Sequence, residues 1–153
     1  MEMEQKEIVG LASKFRTALE KLAVEPEAFW KTITNRFPNG CCDDASMLFA
    51  AYLADHGYPG AMWVHGENGG RTCELKSHVW LELGGLIIDL TADQFGGYDL
   101  PAVLVTPFSS FHQGFEVKKG PEIADFRTRY AADERALLYL KAMYQKAVKL
   151  MPY

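Results

Sequence analysis

Ser77-His78-Val79-Trp80-Leu81-Glu82-Leu83-Gly84-Gly85-Leu86-Ile87-Ile88-Asp89-Leu90-Thr91 reads as a β-hairpin with a histidine on one strand and an aspartate on the other. Side chains alternate along a strand, so His78, Trp80 and Glu82 point one way while Val79, Leu81 and Leu83 point the other. Gly84-Gly85 is a two-residue turn signal. Folding there pairs Leu83 with Leu86, Glu82 with Ile87, Leu81 with Ile88, Trp80 with Asp89 and His78 with Thr91. His78 and Asp89 then become diagonal neighbours, with Cα atoms roughly 7–8 Å apart, within reach of an imidazole–carboxylate hydrogen bond. An imidazole oriented by an acid is what a nucleophilic thiol or hydroxyl requires. A thiol stands upstream, in Gly40-Cys41-Cys42.

Outward from the hairpin, strands are expected at Ala61 to His65, Arg71 to Leu83, Leu86 to Thr91 and Ala102 to Thr106, with Asn68-Gly69-Gly70 turning the first into the second. Ile8, Leu11, Phe15, Leu19 and Leu22 give residues 6–23 helical spacing. A second helix is expected from Pro26, a favoured first-turn residue, to about Asn35, where Phe37-Pro38-Asn39-Gly40 breaks it. A third runs from about Cys42 to Asp55, with Asp43 and Asp44 in its first turn and Gly57 as its stop. Helix returns from about Ile123 and ends in an amphipathic segment, Asp133 to Leu150. Helices, a small antiparallel sheet, then helices make an α+β domain over residues 1–153, with no repeat and no linker.

The 153 residues, 48% hydrophobic and 24% charged, can bury a sizeable core without a disulfide or a structural metal. A net charge of −4, from 16 basic and 20 acidic residues, gives no support to nucleic-acid binding, and no basic stripe interleaves with aromatics. No apolar run approaches the roughly 20 residues of a membrane span, and Met1 to Glu7 carry charges with no apolar segment behind them. Three cysteines, two of them adjacent, suit a reducing compartment, the cytoplasm. Their spacing from the histidines is not that of a zinc site, and no cofactor motif is present.

A helix N-terminus concentrates unpaired N–H groups and a positive dipole end, which favours a thiolate and supplies oxyanion donors. Gly40 permits a tight entry into that helix. Asp43 and Asp44 work against the thiolate. A cysteine usually packs as a small buried hydrophobe, and that is the reading for Cys73, placed on a strand face. His65 and His112 have no acid companion in the sequence pattern. Asp93 shares the face of Asp89 if the strand continues, which makes it the alternative acid.

Gly40-Cys41-Cys42-Asp43-Asp44-Ala45-Ser46-Met47-Leu48, then Ala51-Tyr52-Leu53 and His56-Gly57-Tyr58-Pro59, resembles the G-x-C-x-D-x-A/S-x-L…G-I/Y-P segment of the transglutaminase-like families. Ser77-His78-Val79-Trp80-Leu81-Glu82 is similar to their H-A-W-x-E strand, and Asp89-Leu90-Thr91 stands where they carry D-P-T. The likeness spans about Phe37 to Phe95, a little over a third of the chain. It implies a papain-like fold with a Cys-His-Asp triad: Cys42, two after the glycine, as nucleophile, His78 as general base and acid, Asp89 as its orienter. Leu90 departs from the family's proline, Cys41 precedes the nucleophile, and no separate substrate-binding domain is present.

The oxyanion hole is expected from the Cys42 N–H plus one side-chain donor, with Gln94, Asn39 and Trp80 as candidates. Trp80, beside His78, is either a lid over the imidazole or packing. The reading is a cysteine hydrolase of peptide or isopeptide bonds, working through a thioester on a protein or peptide substrate. The alternatives are a cross-linking or deamidating acyltransferase and an idle binding module of the same fold.

Overall fold

The computed structural model describes residues 2–26 and 33–152. Helix α1 (Glu2–Ala23) and helix α2 (Cys42–Asp55) precede strands β1 (Met62–Gly69), β2 (Leu75–Leu83) and β3 (Leu86–Asp89). Two 3-10 turns, Ala92–Gln94 and Gly96–Tyr98, lead to β4 (Leu104–Thr106) and a short helix α3 (Ser110–Gln113). A two-residue strand β5 (Glu122–Ile123), helix α4 (Phe126–Arg129) and helix α5 (Glu134–Lys149) close the chain. The five strands form one antiparallel sheet in the order β4-β3-β2-β1-β5. The fold is therefore α+β with a small antiparallel sheet.

Helices α1 and α5 bury one stripe each. On α1 it is Ile8, Ala12, Phe15, Leu19 and Leu22; on α5 it is Leu140, Met143 and Ala147. Nearly the whole of α2 is enclosed, from Ala45 to Leu53, so it forms the centre of the core against Leu81, Leu86 and Ile88 of the sheet. That position explains why α2 is apolar on most of its faces. It ends in a Schellman arrangement: Gly57 has φ +91°, its N–H bonds Ala54 O, and the Tyr58 N–H bonds Leu53 O at 2.8 Å. Among the described residues no helix is long and apolar enough to cross a membrane.

The hairpin forms in the expected register. Leu83 pairs with Leu86, Glu82 with Ile87 and Leu81 with Ile88, and both turn glycines have positive φ, +55° at Gly84 and +81° at Gly85. Leu81 and Ile88 join the main core, while Trp80 packs with Val64 and Phe115 in a second cluster on the other face.

Several boundaries differ from expectation. Strand β1 continues past His65 to Gly69, because Gly66 and Gly69 are crossed by Phe115: a Cβ on either would lie 2.5 Å from that side chain. The turn therefore falls at Gly70 to Glu74, not at Asn68 to Gly70. The Glu74 carboxylate accepts from the Thr72 N–H and hydroxyl and from Tyr98, which keeps Arg71 to Glu74 out of the strand. Cys73 sits in this turn, exposed and with φ +59°, and is not a core residue. Ile123 pairs with Met62 in β5, so helix resumes only at Phe126, after the Asp125 cap. The expected helix from Pro26 to Asn35 falls outside the described residues over 27–32; Pro26 and Ile33 to Asn35 are not helical.

Candidate active site

Asp89 ends β3 and is 2% exposed, so its charge must be met by donors within the protein. It has four. Oδ2 lies 2.6 Å from His78 Nε2 and 2.7 Å from His112 Nε2, and Oδ1 accepts the Thr91 N–H at 2.9 Å and the Thr91 hydroxyl at 3.4 Å. The hydrogen-bond network thereby assigns the Nε2–H tautomer to His78. When the ring is neutral its Nδ1 carries the lone pair, and in the imidazolium it carries the second proton. Cys42 faces this ring, and its thiol and charge are among the causes that favour a proton on His78. Nε2 is taken by Asp89, and Gln94 Nε2 approaches Nδ1 to 3.5 Å.

Cys42 is the first residue of α2, half-buried, and the helix has no side-chain cap at Cys41. The thiol thus lies at a positive dipole end beside unpaired N–H groups. Burial opposes an imidazolium at His78, but the Asp89 charge and hydrogen bond, with those of Cys42, outweigh it and push His78 up to about 9. Burial likewise opposes the Asp89 anion, yet the charge on His78 and the bonds from both histidines hold its carboxyl below the usual carboxylate range. His78 is enclosed by aromatic rings, with Phe95 edge-on at 5.0 Å, Trp80 at 5.8 Å and Phe115 at 6.0 Å. Excluding water there strengthens the attraction between imidazolium and carboxylate.

Cys41 points the other way. It is 2% exposed in the main core, its Sγ bonds Asn39 O at 3.4 Å, and burial pushes its thiol up. Of the two carboxylates after Cys42, Asp43 accepts the Trp63 indole N–H at 2.7 Å, while Asp44 is raised to about 6 by burial and by the neighbouring Asp43 charge.

The other sequence-derived candidates divide. Gln94 is brought to the site: it donates to Thr91 O at 3.0 Å, and its Oε1 accepts from Gly40 N at 3.5 Å. Asn39 is exposed on the entry loop. Trp80 is 3% exposed, and its Nε1 is buried with no hydrogen-bond partner, so it packs under the site and presents no donor to solvent. Asp93 does not touch His78. It forms a two-point ion pair with the buried Arg16, at 2.8 and 2.9 Å.

Sequence reasoning missed His112, which it left without a companion. The residue is 3% exposed and shares Asp89 Oδ2 with His78. Ser109 caps α3, accepts the His112 N–H and lies 2.6 Å from His112 Nδ1. The spacing Ser109-x-x-His112 is a cap signal visible in the sequence, but nothing local points to an aspartate 23 residues away. His78, Asp89 and His112 also form a donor set suited to a metal ion. Nitrogen–oxygen separations of 2.6 and 2.7 Å are those of direct hydrogen bonds, however, with no room for an ion held at about 2 Å from each ligand.

Compared with protein-family models, with curated proteins and with solved structures, the chain matches none.

Proposed function

We propose that this protein is a cysteine acyl-transfer enzyme of the transglutaminase-like, papain-like type, acting as a hydrolase of peptide or isopeptide bonds. The observation that carries the reading is the continuous chain from the Cys42 thiol at the start of α2 through His78 to the buried Asp89. The α+β architecture, with the thiol-bearing helix packed on a small antiparallel sheet, is in keeping with it.

His78 Nδ1 takes the Cys42 proton, and the thiolate sulfur attacks the carbonyl carbon of the scissile amide. The oxyanion is met by the Cys42 N–H, with Gln94 as the side-chain donor nearest to His78 Nδ1. His78 then gives its proton to the departing amine nitrogen, the C–N bond breaks, and a thioester remains. Water attacks that thioester while His78 accepts its proton; the acid leaves and Cys42 regains its hydrogen. Asp89 keeps its negative charge throughout and stabilises the imidazolium. Water is the default acceptor, which favours hydrolysis over cross-linking.

Iodoacetamide labelling across pH, with peptide mapping, tests the reading. Cys42 should label fast at neutral pH, Cys41 should stay protected, and the exposed Cys73 should label more slowly than Cys42. His78→Ala should reduce Cys42 to the Cys73 rate or below. Labelling of Cys42 no faster than Cys73 in the wild-type protein would favour an idle module of the same fold. Incorporation of a fluorescent primary amine into casein would instead indicate acyl transfer.

A further inference from the structure

Asp89 carries one negative charge and meets two imidazoles at one oxygen. One carboxylate can neutralise one imidazolium, and a second buried imidazolium beside it would stand uncompensated. The two rings are therefore not equivalent. Ser109 Oγ accepts the His112 backbone N–H at 3.3 Å and lies 2.6 Å from His112 Nδ1, to which its hydroxyl hydrogen is free to donate. With Asp89 matched to His78, the second ring meets the carboxylate as a hydrogen-bond donor through Nε2.

We propose that His112 is a positioning residue of the Cys42 site: by donating its Nε2–H to Asp89 Oδ2 it fixes that oxygen toward His78 and sets how strongly His78 holds a proton. This inference rests on the cysteine-enzyme reading for its catalytic meaning, but its physical content does not. A donor on Oδ2 draws off part of the charge that His78 would otherwise feel, so the imidazolium is kept from becoming too stable to release its proton to a leaving amine. The charged and titratable groups that face this pair are Cys42 from α2, His78 from β2, Asp89 from β3 and His112 from α3. Ser109 and His112 are both buried, and Trp80 lies edge-on to the His112 ring at 4.8 Å, so the donor has no freedom to turn away.

Nitrogen-15 NMR of the imidazoles, over a pH titration of the full chain, tests this directly. Wild-type His112 should appear as the Nε2–H tautomer; the Nδ1–H tautomer would overturn the proposal without any variant. His112→Phe keeps the ring volume and removes the donor. It should raise the His78 midpoint by about one pH unit, a tenfold change in proton affinity, and shift the basic limb of Cys42 labelling equally. His112→Gln, whose amide nitrogen can reach the Nε2 position, should return both toward wild type. A His78 midpoint unchanged to within about 0.2 pH unit in His112→Phe, with only a lowered melting temperature, would reduce His112 to packing. If wild-type Cys42 labels no faster than Cys73, the enzyme reading fails, while the NMR titration still decides the role of His112.

Discussion

Replacing Asp89 by asparagine keeps the volume and removes the charge, and the structure says what the exchange costs. The carboxylate accepts from His78, His112 and both donors of Thr91. An amide offers one oxygen and one NH2. If the oxygen faces the histidines, the NH2 meets the Thr91 N–H at the 2.9 Å position, donor against donor. If the amide turns over, both imidazoles must move their protons from Nε2 to Nδ1, and His78 loses its Nδ1 lone pair. Removing one partner of a buried ion pair typically costs about 3–5 kcal/mol. At about 2–4 °C per kcal/mol for a chain of this size, the melting temperature should fall by roughly 6–20 °C.

Chemistry should suffer alongside stability. Without the carboxylate, burial is left to dominate at His78, so its midpoint should drop from about 9 to below 6.5. Cys42 then loses its imidazolium partner at neutral pH. Loss of the proposed base, in His78→Ala, should cost at least roughly 10²–10⁴-fold, and Asp89→Asn should be milder because the ring is still held. Thermal unfolding at pH 7.5 and pH-resolved iodoacetamide labelling of Cys42, with Cys73 as internal reference, measure both effects on one sample. A variant that melts and labels like wild type would refute the account of Asp89. Normal labelling in Asp89→Asn with loss in Asp93→Asn would transfer the role to Asp93.

The pH dependence of stability should carry the same signature. A histidine raised from 6.5 to about 9 contributes stability that is full below pH 6.5 and lost as pH rises through 9, at most roughly 3 kcal/mol, readable from urea midpoints over that range. Asp89, held low, should lose its contribution only on strong acidification, below the usual carboxylate range. Gly66→Ala places a Cβ 2.5 Å from Phe115 Cβ and 2.8 Å from Trp80, so overpacking should cost about 1–3 kcal/mol in urea unfolding; an unchanged midpoint would show that Phe115 yields freely. Arg16→Leu strips Asp93, Leu90 O and Ala102 O of their shared donor and should destabilise by about 3–5 kcal/mol, a loss that calorimetry would detect.

What could be read from the sequence depended on the range of the forces involved. The hairpin and α2 were legible because each announces itself locally: alternation and a Gly-Gly turn in one, a glycine stop two residues past the last turn in the other. The His78–Asp89 contact followed from register alone. The β1–β2 turn was misplaced because Gly69 looks like a turn residue, whereas its lack of a side chain serves the crossing of Phe115, 46 positions away. Strand β5 has two residues, too few for any period, and exists because its backbone pairs with Met62 and Trp63. His112 was invisible for the same reason: only the docking of α3 under the sheet brings it to Asp89.

The two aspartates after the hairpin show how fold and site depend on each other. On a strand continued past Asp89, Asp93 would share its face and compete for His78. The strand instead stops, and the chain enters the 3-10 turn Ala92–Gln94. Arg16, buried on the inner side of α1, cannot stay charged there without an anion, and Asp93 supplies one by both oxygens while the carbonyls of Leu90 and Ala102 take further bonds. That clamp pins the segment on either side of Thr91, which in turn holds Oδ1 of Asp89 and accepts from Gln94. Asp93 thus works at a distance: by satisfying Arg16 it leaves Asp89 alone with the histidines and brings Gln94 beside His78 Nδ1. An acid that sequence spacing makes a rival for His78 is, in the folded chain, what helps keep that contact for its neighbour.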